Sequence, residues 1–248
     1  MPKRFVVSAS RFSELPRFPA GVDLAEALTS AARRLHETPT PHSTLDTAVR
    51  LAVDLLPGAE YAGISVIERN TRRRPLAWTD ELVRDIEARR PAGEQKPYWD
   101  RLWTAPVAEP ADGDGEGQGE DAGNALAELG GLRSALSLRL RADRRRLTVL
   151  TAYARKPRAF DEVTRRVGRL FTAHVGIALD SATVREQLTE AMHTRDLIGQ
   201  ATGILMERMD IDAAGAFDSL VRASQRENVK LRDLARRIVD AHSTPDAR

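Results

Sequence analysis

A chain of 248 residues with 42% hydrophobic and 30% charged side chains has enough apolar surface for one large or two small cored domains. It has no cysteine, which excludes disulfides, thiol nucleophiles, cysteine-held zinc and thioether-linked chromophores. A formal charge of +2 neither favours nor excludes nucleic acid as a partner.

MPKRFVVSAS lacks the apolar run of a secretory signal, and no stretch is apolar for long enough to span a bilayer, so a cytoplasmic protein is expected. Lys3, Lys96, Lys156 and Lys230 are the lysines and every other base is arginine. The guanidinium fork suits phosphate and base edges, but codon bias is the ordinary explanation.

Residues 1–20 carry three prolines without a period and read as a loose leader. Over residues 22–35, Leu24, Ala27, Leu28, Ala31 and Leu35 fit one helix face, with Pro39 and Pro41 as the break. A second helix is expected over 44–56, closed by Pro57-Gly58. YAGISVI at 61–67 is short and β-branched, a strand to which residues 76–78 pair back across the turn-like run 69–75. Thr79 or Asp80 then starts a helix reaching Arg89.

Residues 109–121, EPADGDGEGQGED, tempt a phosphate-loop interpretation, but no Lys-Ser/Thr follows and six carboxylates repel phosphate. The spacing and closing glutamate of a calcium loop are also missing, leaving a solvated, mobile loop. SALSLRL at 134–140 and LTVLTAYA at 147–154 alternate as a hairpin around RADRRR, whose arginines form a charged turn before they form a nucleic-acid contact. PRAFD at 157–161 leads into a long helix. There Val163, Val167, Leu170, His174, Ile177, Ser181, Val184, Leu188, Ala191, Arg195, Ile198, Thr202 and Leu205 recur by steps of four and three. Continuous helix over this span measures about 60–65 Å, and a sustained 3–4 repeat argues for a dimeric bundle seam. His174 on that stripe is expected to be a packing histidine, since no second ligand stands one turn away.

Two further helices follow. Asp212 is a good N-cap for the first, which carries Phe217, Leu220, Val221 and Ser224 on one face and stops near Asn228. Leu231, Leu234, Ala235, Ile238 and Val239 mark the second. Residues 185–242 hold nine basic and ten acidic groups, but residues 222–237 hold six basic against two acidic, a local +4 beside the polar donors Ser224, Gln225 and Asn228. Such a patch neutralises phosphates while its amides read bases; a solvated helix face accounts for it equally well.

Helices, strands, a loop, strands and a long helix, in that order, make an α+β body with an antiparallel sheet flanked by helices. LPGAEYAGISVIER (55–68), WTDELVRDIE (78–87) and GLRSALSLRL with LTVLTAYARKPRAFDE (131–162) resemble a GAF domain. The resemblance implies a small-ligand sensor that dimerises through terminal helices. The sequence departs from relatives at 93–99, GEQKPYW, and at the acidic glycine loop, which puts a conventional pocket in doubt. Bilin attachment needs a cysteine, nothing supports haem at His36, His42 or His174, and no cofactor is expected.

IGQATGILMER followed by AAGAFDSLVRASQRENVKLRDLARRIV closely resembles the ANTAR domain, a small all-α three-helix RNA-binding antiterminator module. The matching positions are Ile198, Gln200, Ala201, Gly203, Ile204, Leu205, Met206, Ala216, Phe217, Leu220, Ser224, Leu231, Leu234 and Ala235. Thr202 stands where many members have lysine, and Ala213, Ala214 and Gly215 replace a usual acidic pair.

The expected organisation is a leader at 1–20, a GAF-like sensor and dimerisation domain at 21–180, an ANTAR domain at 181–242 and a tail at 243–248. The resemblance implies a homodimer through the long helix around 163–205 whose tips bind paired hairpins in nascent RNA, blocking a terminator stem. Ile204, Leu205, Phe217, Leu220, Leu234 and Ile238 are expected to pack. Gln200, Thr202, Arg208, Ser224, Gln225, Asn228, Lys230, Arg232 and Arg236 are the expected RNA contacts. No metal site, no membrane contact and no catalytic constellation are expected; a small ligand in the GAF body stays open. Alternatives are a DNA-binding regulator using the last two helices, or a ligand-binding GAF protein with a protein-interaction output.

Overall fold

The structure, a computed structural model, describes residues 20–68, 73–89, 102–103, 105–108 and 131–243. The expected leader (save Ala20), the 93–99 turn, the acidic loop at 109–121 and the tail after residue 243 lie outside these residues. The chain divides into two compact units at Thr183/Val184.

The first unit has the α+β architecture read from the sequence. In chain order it contains α1 (Ala20–His36), α2 (Pro41–Leu55), β1 (Tyr61–Glu68), β2 (Arg74–Trp78), α3 (Glu81–Arg89), β3 (Val107–Ala108), β4 (Ser134–Ala142), β5 (Arg146–Ala154) and the start of α4 (Glu162–Met209). The strands form one antiparallel sheet in the order β2-β1-β5-β4-β3.

Helix α2 starts three residues before its expected position. Thr40 caps it: the hydroxyl accepts from the Ser43 amide and Ser43 Oγ accepts from the Thr40 amide, both at 3.1 Å. Pro41 is therefore not part of a break. At the first helical position its missing N–H costs nothing and its fixed φ suits the helix. Beyond α2, Gly58 sits at φ +83°, where a Cβ would lie 2.7 Å from the Ala159 carbonyl oxygen, so the turn requires glycine.

Strand alternation sorts the sheet into two unlike faces. Ala62 and Ile64 of β1, Leu136 and Leu138 of β4, and Leu150 and Ala152 of β5 join Leu35, Val49 and Leu56 from α1, α2 and the α2 C-cap in the main core. Helix α4 closes that core with Val167, Phe171, Val175 and Ala178. Gly168 lets it approach, since a Cβ there would fall 2.6 Å from Leu138 Cδ1. The opposite face carries Ser65, Ser137, Thr151 and Tyr153, packed beside Val83 and Ile86 of α3.

The hairpin turn is tighter than RADRRR suggested. Arg141 and Arg146 lie in the strands, paired with Asp180 and Glu68 respectively, while Asp143 Oδ1 accepts from the Arg145 and Arg146 amides at 2.7 and 2.8 Å. Those amides hold the Asp143 carboxyl below the usual aspartate range.

Helix α4 runs unbroken for 48 residues. Asp161 caps it, accepting from the Thr164 amide at 2.8 Å and the Thr164 hydroxyl at 2.9 Å. Both donors hold its carboxyl below the usual range. The apolar repeat on α4 splits between faces: Val167 turns into the core, whereas Val163, Leu170, Ile177, Val184 and Leu188 are exposed. His174 is half-buried.

The second unit packs the rest of α4 with α5 (Ala213–Glu227) and α6 (Leu231–Ser243). Its centre is small: Ala201, Leu220, Leu234 and Ala235 are buried, flanked by Ile198, Leu205, Ile238 and Val239. Asp212 caps α5 as expected, accepting from the Gly215 amide at 2.8 Å. Asn228 ends it in the left-handed conformation at φ 54°, one of the few side chains that tolerate this region. No described helix is long and apolar enough to cross a membrane.

Candidate nucleic-acid interface

The second unit places the expected contact residues in different settings. Lys230 and Arg236 are exposed and, among the described residues, make no ion pair. The same holds for Arg226 and for Arg222, whose guanidinium reaches only Ser219 Oγ at 3.3 Å. These four cations stand on α5, on α6 and at the turn between them, where solvated guanidinium and ammonium groups can meet phosphates.

A second set is engaged within the fold. Ser224 Oγ donates to the Val229 carbonyl at 2.6 Å and Thr202 Oγ1 to the Ile198 carbonyl at 2.7 Å, so both hydroxyl protons are committed to backbone. Each oxygen keeps acceptor capacity only. Arg232 Nη1 binds Glu190 Oε1 at 2.5 Å and its Nε lies 3.6 Å from Asp233. Arg208 stands 3.4 Å from His242 Nδ1 at the end of α4. Asn228 shapes the α5–α6 turn through its backbone, donating to the Gln225 carbonyl at 3.3 Å, while the Gln225 side chain is exposed beside it. Gln200 is exposed on α4 and edges a shallow cleft with Gly203, Ile204 and Val239.

Phe217 differs from its expected packing role. Its side chain is 42% exposed and forms one wall of an open groove of about 540 Å³, with Ala191 and Ile198 of α4. Glu190, Arg195 and Arg232 border the same groove. Arg195 and Glu190 are not among the sequence-based contacts. The signal for them in the sequence is a pair of charged residues, little more than one turn apart, on the stretch of α4 leading into the bundle.

The first unit holds a buried ionic cluster that the sequence did not announce. Arg73 and Glu87, with side chains 2% and 1% exposed, form an ion pair through Nη2 and Oε2. Ser65 Oγ donates to Glu87 Oε2 at 2.6 Å, Tyr153 Oη donates to Oε1, and Arg73 Nη2 donates to Thr151 Oγ1 at 3.2 Å. Ser137 joins through Thr151 at 3.0 Å. Every member comes from the sheet face opposite the main core, from α3, or from the residue just before β2. Among the described residues no group of His, Asp or Glu is arranged to hold a metal ion.

Comparison with known proteins assigns both units. The GAF domain pattern matches residues 38–180 and the ANTAR domain pattern matches residues 186–239. No curated protein matches the chain. Among solved structures, the Stigmatella aurantiaca phytochrome photosensory core module superposes with a TM-score of 0.59 at 14% identity, covering 83% of this chain and 45% of that one. A bacteriophytochrome from the photosynthetic bacterium R. palustris gives 0.56 at 12% identity, covering 77% and 43%. The free methionine-R-sulfoxide reductase from Neisseria meningitidis, solved with its substrate, gives 0.52 at 14% identity, covering 68% and 96%. The chain spans less than half the length of the two phytochrome structures. At such identities the likeness concerns the fold alone.

Proposed function

The chain belongs to the GAF domain family over residues 38–180 and ends in an ANTAR domain over residues 186–239, and on that premise we propose that it is a homodimeric antitermination regulator whose paired tips hold hairpins of a nascent transcript. ANTAR is an RNA-binding antitermination module and GAF a sensor module. What the proposal adds is the RNA form, the dimer and the control of one domain by the other.

The observation that carries the proposal is the ANTAR match on a unit with four solvated cations, Arg222, Arg226, Lys230 and Arg236, free of acidic partners among the described residues. RNA recognition concentrates on loops whose bases are unstacked, which short exposed helices reach more readily than a deep duplex groove. Two tips are supplied by self-pairing of α4: Val163, Leu170, Ile177 and Val184 repeat every seven residues and are all exposed. Because α4 contributes to both units, a change in how two copies pair along it reaches the tips. A small ligand in the GAF body is a candidate input.

The test is binding of the full chain to a pool of randomised hairpins across a salt series. Selected hairpins are expected to bind with an affinity that falls steeply with salt, in proportion to the phosphates neutralised. No retained hairpin, a salt-independent affinity, or a preference for duplex DNA overturns the proposal. Inserting one residue near Ser181, which turns everything beyond it by about 100°, is expected to impair RNA binding; unchanged binding and regulation remove the transmission step.

A further inference from the structure

In the second unit, the side of α4 turned away from α5 and α6 is apolar and uncovered. We infer that it is a seam against the same face of a second copy, which sets the two tips back to back with their cations on the outer sides. The inference rests on the self-pairing proposed above and carries it into the RNA-binding unit.

Helix arithmetic locates the face. Nine residues turn a helix by about 900°, half a turn beyond two whole ones. Met192 stands nine residues before buried Ala201, and Met206 nine after buried Leu197, so both point straight away from the centre of the bundle. Leu188 precedes Met206 by eighteen residues, about five full turns, and lies on the same line. Val184 and Met209 flank that line, and all five side chains are at least 37% exposed. So many large apolar groups left in water, in a unit whose buried centre is only four residues, form a patch of the kind that marks an interface.

Between Met192 and Met206 the same side holds Gly199 and Gly203, where an added Cβ would meet nothing within 4 Å. Glycine inside a helix costs stability relative to alanine, and no contact among the described residues asks for it at either position. Bare backbone there lets a second helix come close between the flanking methionines.

Charge and continuity identify the occupant. Nucleic acid needs its phosphates neutralised, yet the charges beside this strip are of both signs, Arg185 and Arg195 against Asp196. The four solvated cations stand instead on α5, α6 and their turn, the side to which this face turns its back. A second copy needs an apolar strip that meets its own like across a two-fold axis. Val184 is at once the first residue of this strip and the last rung of the exposed row on α4, and parallel pairing in register matches row and strip together. Arg195, the one charge near the middle of the strip, borders the Phe217 groove. Its stem can lie along the seam while the guanidinium turns out to the groove. Each tip then presents Arg222, Arg226, Lys230 and Arg236 to its own hairpin, one per copy, on opposite sides of the pair.

The chain has no cysteine, so a single introduced one reports contacts between copies, because a disulfide needs Cα atoms within about 7 Å. Under mild oxidation, full-length Leu188→Cys and Met206→Cys are each expected to run as linked dimers, and Arg226→Cys on α5 as a monomer. Adding Gly199→Leu to Met206→Cys, a change with room in the single chain, is expected to slow linking by at least about tenfold. Titration of the linked Met206→Cys dimer with a retained hairpin is expected to saturate at two. Linking at Ile177→Cys without linking at Leu188→Cys or Met206→Cys overturns the seam and leaves the dimer standing, and equal linking of Arg226→Cys overturns it as well. A hairpin that abolishes linking at Met206→Cys assigns the face to RNA and is equally fatal. No linking at any position, with the mass of a single chain by sedimentation, defeats the self-pairing proposal itself.

Discussion

Arg73→Met is the sharpest perturbation of the GAF body. Methionine keeps most of the side-chain length and removes the charge, leaving the Glu87 carboxylate with the Ser65 and Tyr153 hydroxyls as donors. With both partners at most 2% exposed, water cannot replace the guanidinium. Removing one member of such a pair costs about 3–5 kcal/mol, and the two surviving hydroxyl donors place the expected loss near the lower end, about 3 kcal/mol. That is a large share of the roughly 5–15 kcal/mol that holds a domain folded, and corresponds to a fall in melting temperature of about 6–12 °C. The assay is thermal and urea unfolding followed by tryptophan fluorescence, which reports this unit selectively because Trp78, Trp99 and Trp103 all lie before Thr183. The double variant Arg73→Met/Glu87→Leu is expected to recover much of the loss, since no buried charge remains uncompensated. A single variant within about 1 kcal/mol of the parent, or a double variant no more stable than the single, would refute the argument that the pair is held away from water.

Gly58→Ala is expected to destabilise the same unit by more than about 1 kcal/mol, because the residue sits at φ +83° with the Ala159 carbonyl oxygen 2.7 Å from the added Cβ; an unchanged urea midpoint would contradict this. Asp212→Ala removes the acceptor for the Gly215 amide and is expected to cost α5 about 1 kcal/mol, seen as faster amide exchange at Gly215 that Asp212→Asn largely restores; equal rates in all three proteins count against the cap. Asp161 has a folded-state pKa below its ordinary value of 3.8, so its stabilisation of α4 is complete above that value and disappears as pH falls through the folded one. The stability difference between the parent and Asp161→Ala is accordingly expected to narrow on acidification below about pH 4, and a difference that widens there would show that the carboxylate is not the stabilising form.

Local patterns made much of this fold legible. Alternation located β4 and β5, a short β-branched run located β1, Asp212 announced α5, and the IGQATGILMER segment identified the tip. Pro41 misled because a proline reads alike as a breaker and as a first helical residue; only the partnership of Thr40 with Ser43 decides between them. The 3–4 repeat of α4 merged two stripes. Val167 and Leu170 are neighbours in that repeat, yet the first meets the sheet and the second solvent, a distinction set by where β4 lies and not by the helix's own period. Arg73 was hidden for a related reason. It stands in an arginine-rich run that reads as an exposed turn, and its partner Glu87 stands on a helix rich in charge. Their meeting depends on β1 and β5 carrying hydroxyls on one face. In the tip, the hydroxyls of Ser224 and Thr202 looked available because sequence does not show which carbonyl a side chain will find.

The exposed aliphatic row on α4 bears on the self-pairing proposed above. Val163, Leu170, Ile177 and Val184 are rungs of nearly equal chemistry at equal intervals. Two copies shifted by one heptad would still match three of the four, with aliphatic against aliphatic at each. Coiled coils ordinarily fix alignment with a polar residue inside the seam; none of these four rungs is polar, and the polar positions of the wider repeat here, His174 and Ser181, are themselves seven residues apart and so fall into step after the same shift. Alignment is then degenerate along this stretch, so modest forces applied elsewhere on the helix can choose between two ladders of similar stability.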